Sequence, residues 1–170
     1  MDAALPMTDG KDLRVIDSPR ATFLERLQQS LGYRFHYPAI LDLALTHSSV
    51  AYEEQAEHYP PKDNEQLEFL GDAILGFVVS ESLVLRHPSA REGQLSRWKA
   101  HLVSAVHLHQ CAIDLGLGEF LLLGRGEDRN GGRERRSLLA DAIEALIAAL
   151  YIDGGADVAR HFIESYILQS

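Results

Sequence analysis

The chain has 170 residues, of which 46% are hydrophobic and 24% charged, with a net charge of −9 at pH 7. That is enough for one substantial core, and the sequence holds no signal peptide and no apolar run long enough to cross a membrane, so a single cytoplasmic domain without membrane partners is expected. The lone Cys111 excludes an internal disulfide, and a pI near 5.3 argues, on composition alone, against a nucleic-acid partner.

Residues 1–17 mix Pro6, Gly10 and charges without any period and read as a flexible tail, leaving 18–170 as the folded domain. Ser18 with Pro19 behind it is a helix start, and Phe23, Leu24, Leu27 and Leu31 form an apolar face that stops at Gly32. Residues 33–37 connect to a short helix opened by Pro38 and carried by Ile40, Leu41, Leu43 and Leu45, which residues 46–49 end. A nucleophilic serine activated by His47 has neither a third group nor an oxyanion signature to support it. Residues 52–62 are polar, close on Pro60 and Pro61, and read as loop.

Asp63, with Gln66 three residues on, predicts a capping box at the start of a long helix. Within that helix Glu65, Glu68 and Asp72 recur at i, i+3 and i+7, which lines three carboxylates along one stripe. The apolar residues on nearly every other side, Phe77, Val78, Val79, Leu83, Val84 and Leu85 among them, predict a helix buried in the interior. Repelling, desolvated acids are tolerable there when a cation or a proton compensates them. A solvated acidic face on a surface helix is the competing reading, and the surrounding hydrophobicity argues against it.

Beyond His87 and Pro88, residues 92–95 start a helix carrying Trp98, Leu102 and Val103, and Ser104 caps another that runs to Gly116. His107, His109 and Cys111 do not converge on one side of that helix, which disfavours a zinc site. Residues 124–136 form a glycine-rich loop with five arginines, the side chain best suited to a bidentate grip on phosphate. The stretch 137–152 is again almost wholly apolar, and its only acids, Asp141 and Glu144, stand at i and i+3. Two such helices facing each other would share divalent ions through oxygen-only ligands, as Mg²⁺ or Mn²⁺ prefers. Val158, Phe162, Ile163, Tyr166 and Ile167 mark a final amphipathic helix, and with strand alternation absent the fold class is all-α.

Residues 64–72, Asn-Glu-Gln-Leu-Glu-Phe-Leu-Gly-Asp, resemble the signature of the ribonuclease III family, and residues 140–146, Ala-Asp-Ala-Ile-Glu-Ala-Leu, resemble its second acidic motif. Residues 43–49, 91–96 and 131–133 fall in that family's order, so the resemblance runs from about Phe23 to about Ile167. It implies a helical endonuclease-domain bundle and a double-stranded-RNA-specific endoribonuclease, active in rRNA and mRNA processing and leaving 5′-phosphate and 3′-hydroxyl ends. Glu68, Asp72, Asp141 and Glu144 are then the metal-holding set, with Asp72 and Glu144 catalytic, Mg²⁺ as the cofactor and Mn²⁺ as a possible substitute. No organic cofactor is implied.

The same resemblance makes Glu65 and Glu92 auxiliary acids, although a surface glutamate is the plain alternative for Glu92. Phe69 becomes a homodimer contact, with ordinary core packing as its alternative. On their own chemistry, beside the second acidic helix, Arg125, Arg129 and Arg133 are candidate RNA-backbone contacts, and His47, without triad partners, reads as a structural or RNA-facing side chain. A two-fold dimer would cut both strands of a duplex read by its A-form shape. A catalytically silent, nuclease-like dimerisation or RNA-binding module is the competing function, and the presence of all four metal-position acids argues against it. Bacterial members of the family typically continue into a double-stranded-RNA-binding domain, whereas this sequence stops at Ser170, as either a truncated chain or a natural single-domain form; in both cases weak, strongly salt-sensitive RNA binding is expected.

Overall fold

The stretch with the fewest polar residues becomes the centre of the molecule. In the computed structural model, which describes residues 16–53 and 63–169, the helix Arg136–Gly154 buries Leu138, Leu139, Ala140, Ala142, Ile143 and every residue from 145 to 150. It is α8 of the chain. Preceding it are α1 (Ser18–Leu31), α2 (Pro38–Ala44), α3 (Ser48–Glu53), α4 (Glu65–Arg86), α5 (Glu92–Leu102), α6 (Ala105–Asp114) and α7 (Arg125–Arg129), and α9 (Ala156–Tyr166) follows. Short 3₁₀ turns at Leu117–Phe120 and Gly132–Glu134 link α6 to α7 and α7 to α8. Helices α2, α4, α6 and α9 pack directly on α8, as an apolar rod surrounded by amphipathic ones requires. The described residues form no sheet; the one β feature among them is a single parallel bridge, Thr46–Leu122. None of the helices among them is long and apolar enough to cross a membrane.

Local chemistry explains most element boundaries, with several departures from the sequence reading. Asp17, not Ser18, caps α1, its Oδ1 accepting the Arg20 N–H at 2.8 Å; Ile16 packs against the core. The rest of the expected tail lies outside the described residues. At α4 the expected capping box gives way to a different arrangement. Asn64 is the cap residue, drawn inward so that its N–H reaches the Thr46 carbonyl at 2.9 Å and its amide reaches that of Ala44. Asp63 instead accepts the Glu65 N–H at 3.2 Å. Helix α3 stands where the sequence suggested a helix end and the start of a loop, because six residues with only Val50 buried carry too little periodicity to read. Residues 54–62 of that expected loop lie outside the described part. In the arginine-rich segment, read as loop, residues 125–129 are helical.

Helix α4 differs most instructively. It is not interior on nearly every side: one face buries Leu67, Gly71, Leu75, Val78, Val79 and Leu83, while Phe69 is 81% and Phe77 61% exposed on another. The buried face meets α8 at closest approach, where a Cβ on Gly71 would lie 1.8 Å from the Glu144 carbonyl oxygen. Only glycine fits there. At the far end of α8, Asp153 ties the α1–α2 connector down, accepting from Tyr33 Oη at 2.7 Å and from the backbone N–H groups of His36 and Tyr37 at 2.9 Å. Burial works against its charge, yet these donors hold its pKa below the ordinary aspartate value; burial, then the hydrogen bond to Asp153 and its negative charge, push the Tyr33 phenol up to about 12.

Gly71→Ala is expected to destabilise the protein by about 3 kcal/mol or more, since the clash is with backbone that has no rotamer to give way. At this size that is a Tm fall of roughly 6–12 °C. Gly93→Ala, in α5 where an added Cβ meets nothing within 4 Å, is the control and should be neutral or slightly stabilising. Thermal denaturation of the two variants beside the wild type measures both.

Candidate metal centre

The close approach at Gly71 sets the site. Glu68 lies one turn before Gly71 and Asp72 directly after it, while Glu144 occupies the touching point on α8 and Asp141 the preceding turn. The result is a group of three carboxylates, Glu68, Asp141 and Glu144, each offering an oxygen within 4.8 Å of the others, all half-buried. The acidic stripes expected from the sequence do face each other. Asp72 stands exposed beside this triad, close enough for its charge to act on both Glu68 and Glu144. Glu65 is exposed one turn up α4 and repels Glu68. Glu92 is exposed at the start of α5, where its Oε1 accepts the Ser96 hydroxyl at 2.5 Å.

The electrostatics follow from that crowding. Desolvation, then repulsion from Asp72, Glu68 and Asp141, raises the Glu144 carboxyl to about 7. Glu68 is raised by burial and by Asp141, Glu65 and Asp72. Asp141 is raised by burial, with His47 alone pulling it back. A hard divalent cation fits this donor set: every candidate ligand is a carboxylate oxygen, and a double positive charge removes the repulsion that burial amplifies.

The neighbouring arginine segment is anchored from α3. Ser49 Oγ accepts the Gly124 N–H at 2.8 Å and Glu53 Oε1 the Gly126 N–H at 3.0 Å. A side chain at residue 124 would strike both the Ser49 carbonyl and the Glu53 carboxylate. These anchors were missed by sequence reasoning, as was the contact role of Gly71; the signal for the latter was an isolated glycine inside a strongly apolar helix. His47 and Ser49 are indeed within 2.9 Å of each other, but the serine hydroxyl also holds Gly124 and serves as a strut. Arg125 and Arg129 are exposed. Arg133 is not an open hand: its Nη1 donates to the carbonyls of Gly118, Glu119 and Leu121, and Nε and Nη2 donate to Asp128. Arg135 pairs with Glu127 at 2.6 Å. In α6, His107 Nε2 lies 2.9 Å from the Ile167 carbonyl, and Cys111 is buried.

A folded-state pKa near 7 against about 4.5 in the unfolded chain means that, between those values, the folded state keeps a proton on Glu144 that the unfolded state has lost. Metal-free stability therefore falls as pH rises through that window and stays reduced above it. Glu144→Gln should raise the metal-free Tm at about pH 8 by roughly 2–4 °C, and the gain should shrink towards about pH 5. Melting curves at the two pH values test the sign.

Residues 38–170 match the profile of the Ribonuclease-III-like family. Curated relatives named ribonuclease 3 include that of Solibacter usitatus, 52% identical over 147 residues that make up 85% of this chain and 54% of the relative. The ribonuclease 3 of Geobacter sulfurreducens is 48% identical over 86% of this chain and 58% of its own length. The chain thus spans a little over half of these relatives. Among solved structures, a ribonuclease III nuclease domain from Campylobacter jejuni superposes with a TM-score of 0.77 at 38% identity, covering 86% of this chain and 96% of that one. A Dicer from Giardia, at 20% identity and a TM-score of 0.67, shares the fold. With a family profile that spans both acidic helices, and a nuclease domain matched over nearly its whole length, this chain belongs to the ribonuclease-III-like family.

Proposed function

We propose that the chain is the nuclease domain of an endoribonuclease that hydrolyses phosphodiester bonds in double-stranded RNA, with Mg²⁺ held by Glu68, Asp72, Asp141 and Glu144, to leave 5′-phosphate and 3′-hydroxyl ends. The observation that carries this reading is the convergence of Glu68, Asp141 and Glu144 at the α4–α8 crossing. Divalent cations in such a site supply a nucleophilic hydroxide at neutral pH and stabilise charge on the leaving oxygen. The protein's own work is to hold the carboxylates fixed and half out of water. The raised pKa of Glu144 keeps that side chain ready to exchange a proton near neutrality while the cation is absent. Asp72, exposed beside the triad with its charge acting on Glu68 and Glu144, would complete the set of carboxylates that holds the cation. Glu65 and Glu92 act as auxiliary acids, and Mn²⁺ is an expected substitute.

Arg125 and Arg129 are proposed to contact the RNA backbone. The carbonyl and Asp128 bonds of Arg133 support a part for it in holding that segment in shape. Phe69 is proposed as the centre of a homodimer contact: a large aromatic side chain 81% exposed, on the same helix as Glu68 and Asp72, has the character of an interface anchor. A two-fold axis there would present two acidic centres to the two strands of one duplex. Processing of ribosomal and messenger RNA in the cytoplasm is the corresponding biological role.

End-labelled duplex RNA at low salt should be cut in Mg²⁺ and not in Ca²⁺, and Glu144→Ala should slow cutting by at least ~100-fold, the upper end of what even an outer-shell loss does to a metal site. Absence of cutting by a folded, dimeric wild type would favour a silent dimerisation or RNA-binding module. Phe69→Ala should weaken dimerisation by about 30-fold, or about 2 kcal/mol, in sedimentation equilibrium.

A further inference from the structure

Glu53, the last residue of α3, is an exposed acid beside two arginines that pairs with neither. The charges of Arg125 and Arg129 both act on it, yet among the described residues it forms no ion pair. Its carboxylate turns to backbone instead. Oε1 accepts the Gly126 N–H at 3.0 Å, and donation from Gly126 and then Arg125 holds the carboxyl below the ordinary glutamate range. These are first-turn donors of α7, which no carbonyl inside that helix can satisfy. The fit is close as well: a Cβ at residue 124 would lie 2.8 Å from Glu53 Oε1 and 2.7 Å from the Ser49 carbonyl oxygen. With Ser49 Oγ accepting the Gly124 N–H, the start of α7 is held from α3 at residues 124, 125 and 126.

What the tether fixes is a direction. A helix of five residues has no stability of its own, so its attachments decide where its side chains point. Arg125 and Arg129 stand at i and i+4, share a face of α7, and are both exposed. The acids of the segment are occupied elsewhere, Asp128 with Arg133 and Glu127 with Arg135. Among the described residues the Arg125 and Arg129 guanidinium groups make no ion pair or hydrogen bond. We propose that Glu53 is a positioning residue for RNA: by holding the first-turn N–H groups of α7, it keeps Arg125 and Arg129 turned together toward the phosphates of a duplex. An acid beside a phosphate-binding face ordinarily weakens it by repulsion; this one strengthens it through the backbone. The inference rests on the reading of Arg125 and Arg129 as RNA-backbone contacts, and it adds a residue that touches no RNA itself.

Two variants separate the hydrogen bond from the charge. Glu53→Gln keeps an oxygen acceptor and removes the charge, while Glu53→Ala removes both. Binding of labelled duplex RNA in Ca²⁺, followed by fluorescence anisotropy over a range of salt, should be about 10-fold weaker in Glu53→Ala, as loss of one charge-assisted hydrogen bond implies. The slope of log affinity against log salt should become shallower by about one to two, as when one or two phosphate contacts are lost. Glu53→Gln should bind within about 3-fold of wild type, on the tighter side, with the wild-type slope. In a background of Arg125→Ala and Arg129→Ala, Glu53→Ala should weaken binding no further. Tighter binding in both Glu53 variants would make the residue a plain repulsive charge. Equal loss in both, or loss in Glu53→Ala at an unchanged salt slope, likewise overturns the proposal. A wild type that binds duplex RNA no more tightly than the double arginine variant removes the contact on which the proposal rests and leaves the nuclease reading intact. A folded wild type that binds no duplex RNA overturns both.

Discussion

Contact between two helix backbones at Gly71 and Glu144 is the constraint on which the rest depends. Helices normally stand 8–10 Å apart because side chains fill the space between them. Here the missing Cβ lets α4 settle onto α8 until only glycine is tolerated. Acids placed a turn before that point on each helix are then carried into one small volume. Had the helices been held at ordinary spacing, Glu68 would face Asp141 and Glu144 across a water-filled gap, and the mutual repulsion that distinguishes this site would fade with distance and screening.

That repulsion makes the centre an expensive feature of the fold without a cation. The carboxylates sit at the edge of an apolar core formed by α8 and its neighbours, so burial and like charge act in the same direction on Glu68 and Glu144. The surrounding scaffold is correspondingly firm. α8 is buried along its length, its C-terminus is fastened through Asp153 to the α1–α2 connector, and the buried Asp42 pairs with Arg20 at 2.6 Å while Arg20 reaches the Phe120 carbonyl. These bonds secure the frame far from the acids, which leaves the acids free to be shaped by what they bind.

Helix α4 serves three neighbours with three faces. Its buried face supplies core, its acidic stripe faces α8 and the proposed cation, and its exposed aromatic face offers the surface assigned to a second copy. A helix of 22 residues spans about 33 Å, long enough to carry these roles side by side. The arginine segment is held near the same centre by a different device, the side chains of α3 binding backbone N–H groups at 124 and 126. In this way a chain with a net charge of −9 still presents Arg125 and Arg129 outward: most of the local acids are turned inward or paired, and distribution rather than total sets what a phosphate would meet.

Periodicity and composition were sufficient for the all-α class, for the long helices and their approximate ends, and for the two acidic stripes, because spacing along a helix is a property of the local chain. The motif resemblance carried the family. Glycine 71 was legible as an oddity, but the reason for it was not, since a close approach needs a partner from a helix some seventy residues away. The same limit hid α3, too short to announce itself, and turned the expected capping box into an inward-facing Asn64. It also hid the exposure of Phe77, since an apolar residue in a sequence does not declare whether its neighbour is its own core or open surface. What the sequence determined by itself was which residues share a helix face. Which faces meet, how closely, and which side chains are consumed in holding them, as Arg133 and Ser49 are, only the tertiary structure decided, because those outcomes depend on contacts between segments that no local spacing encodes.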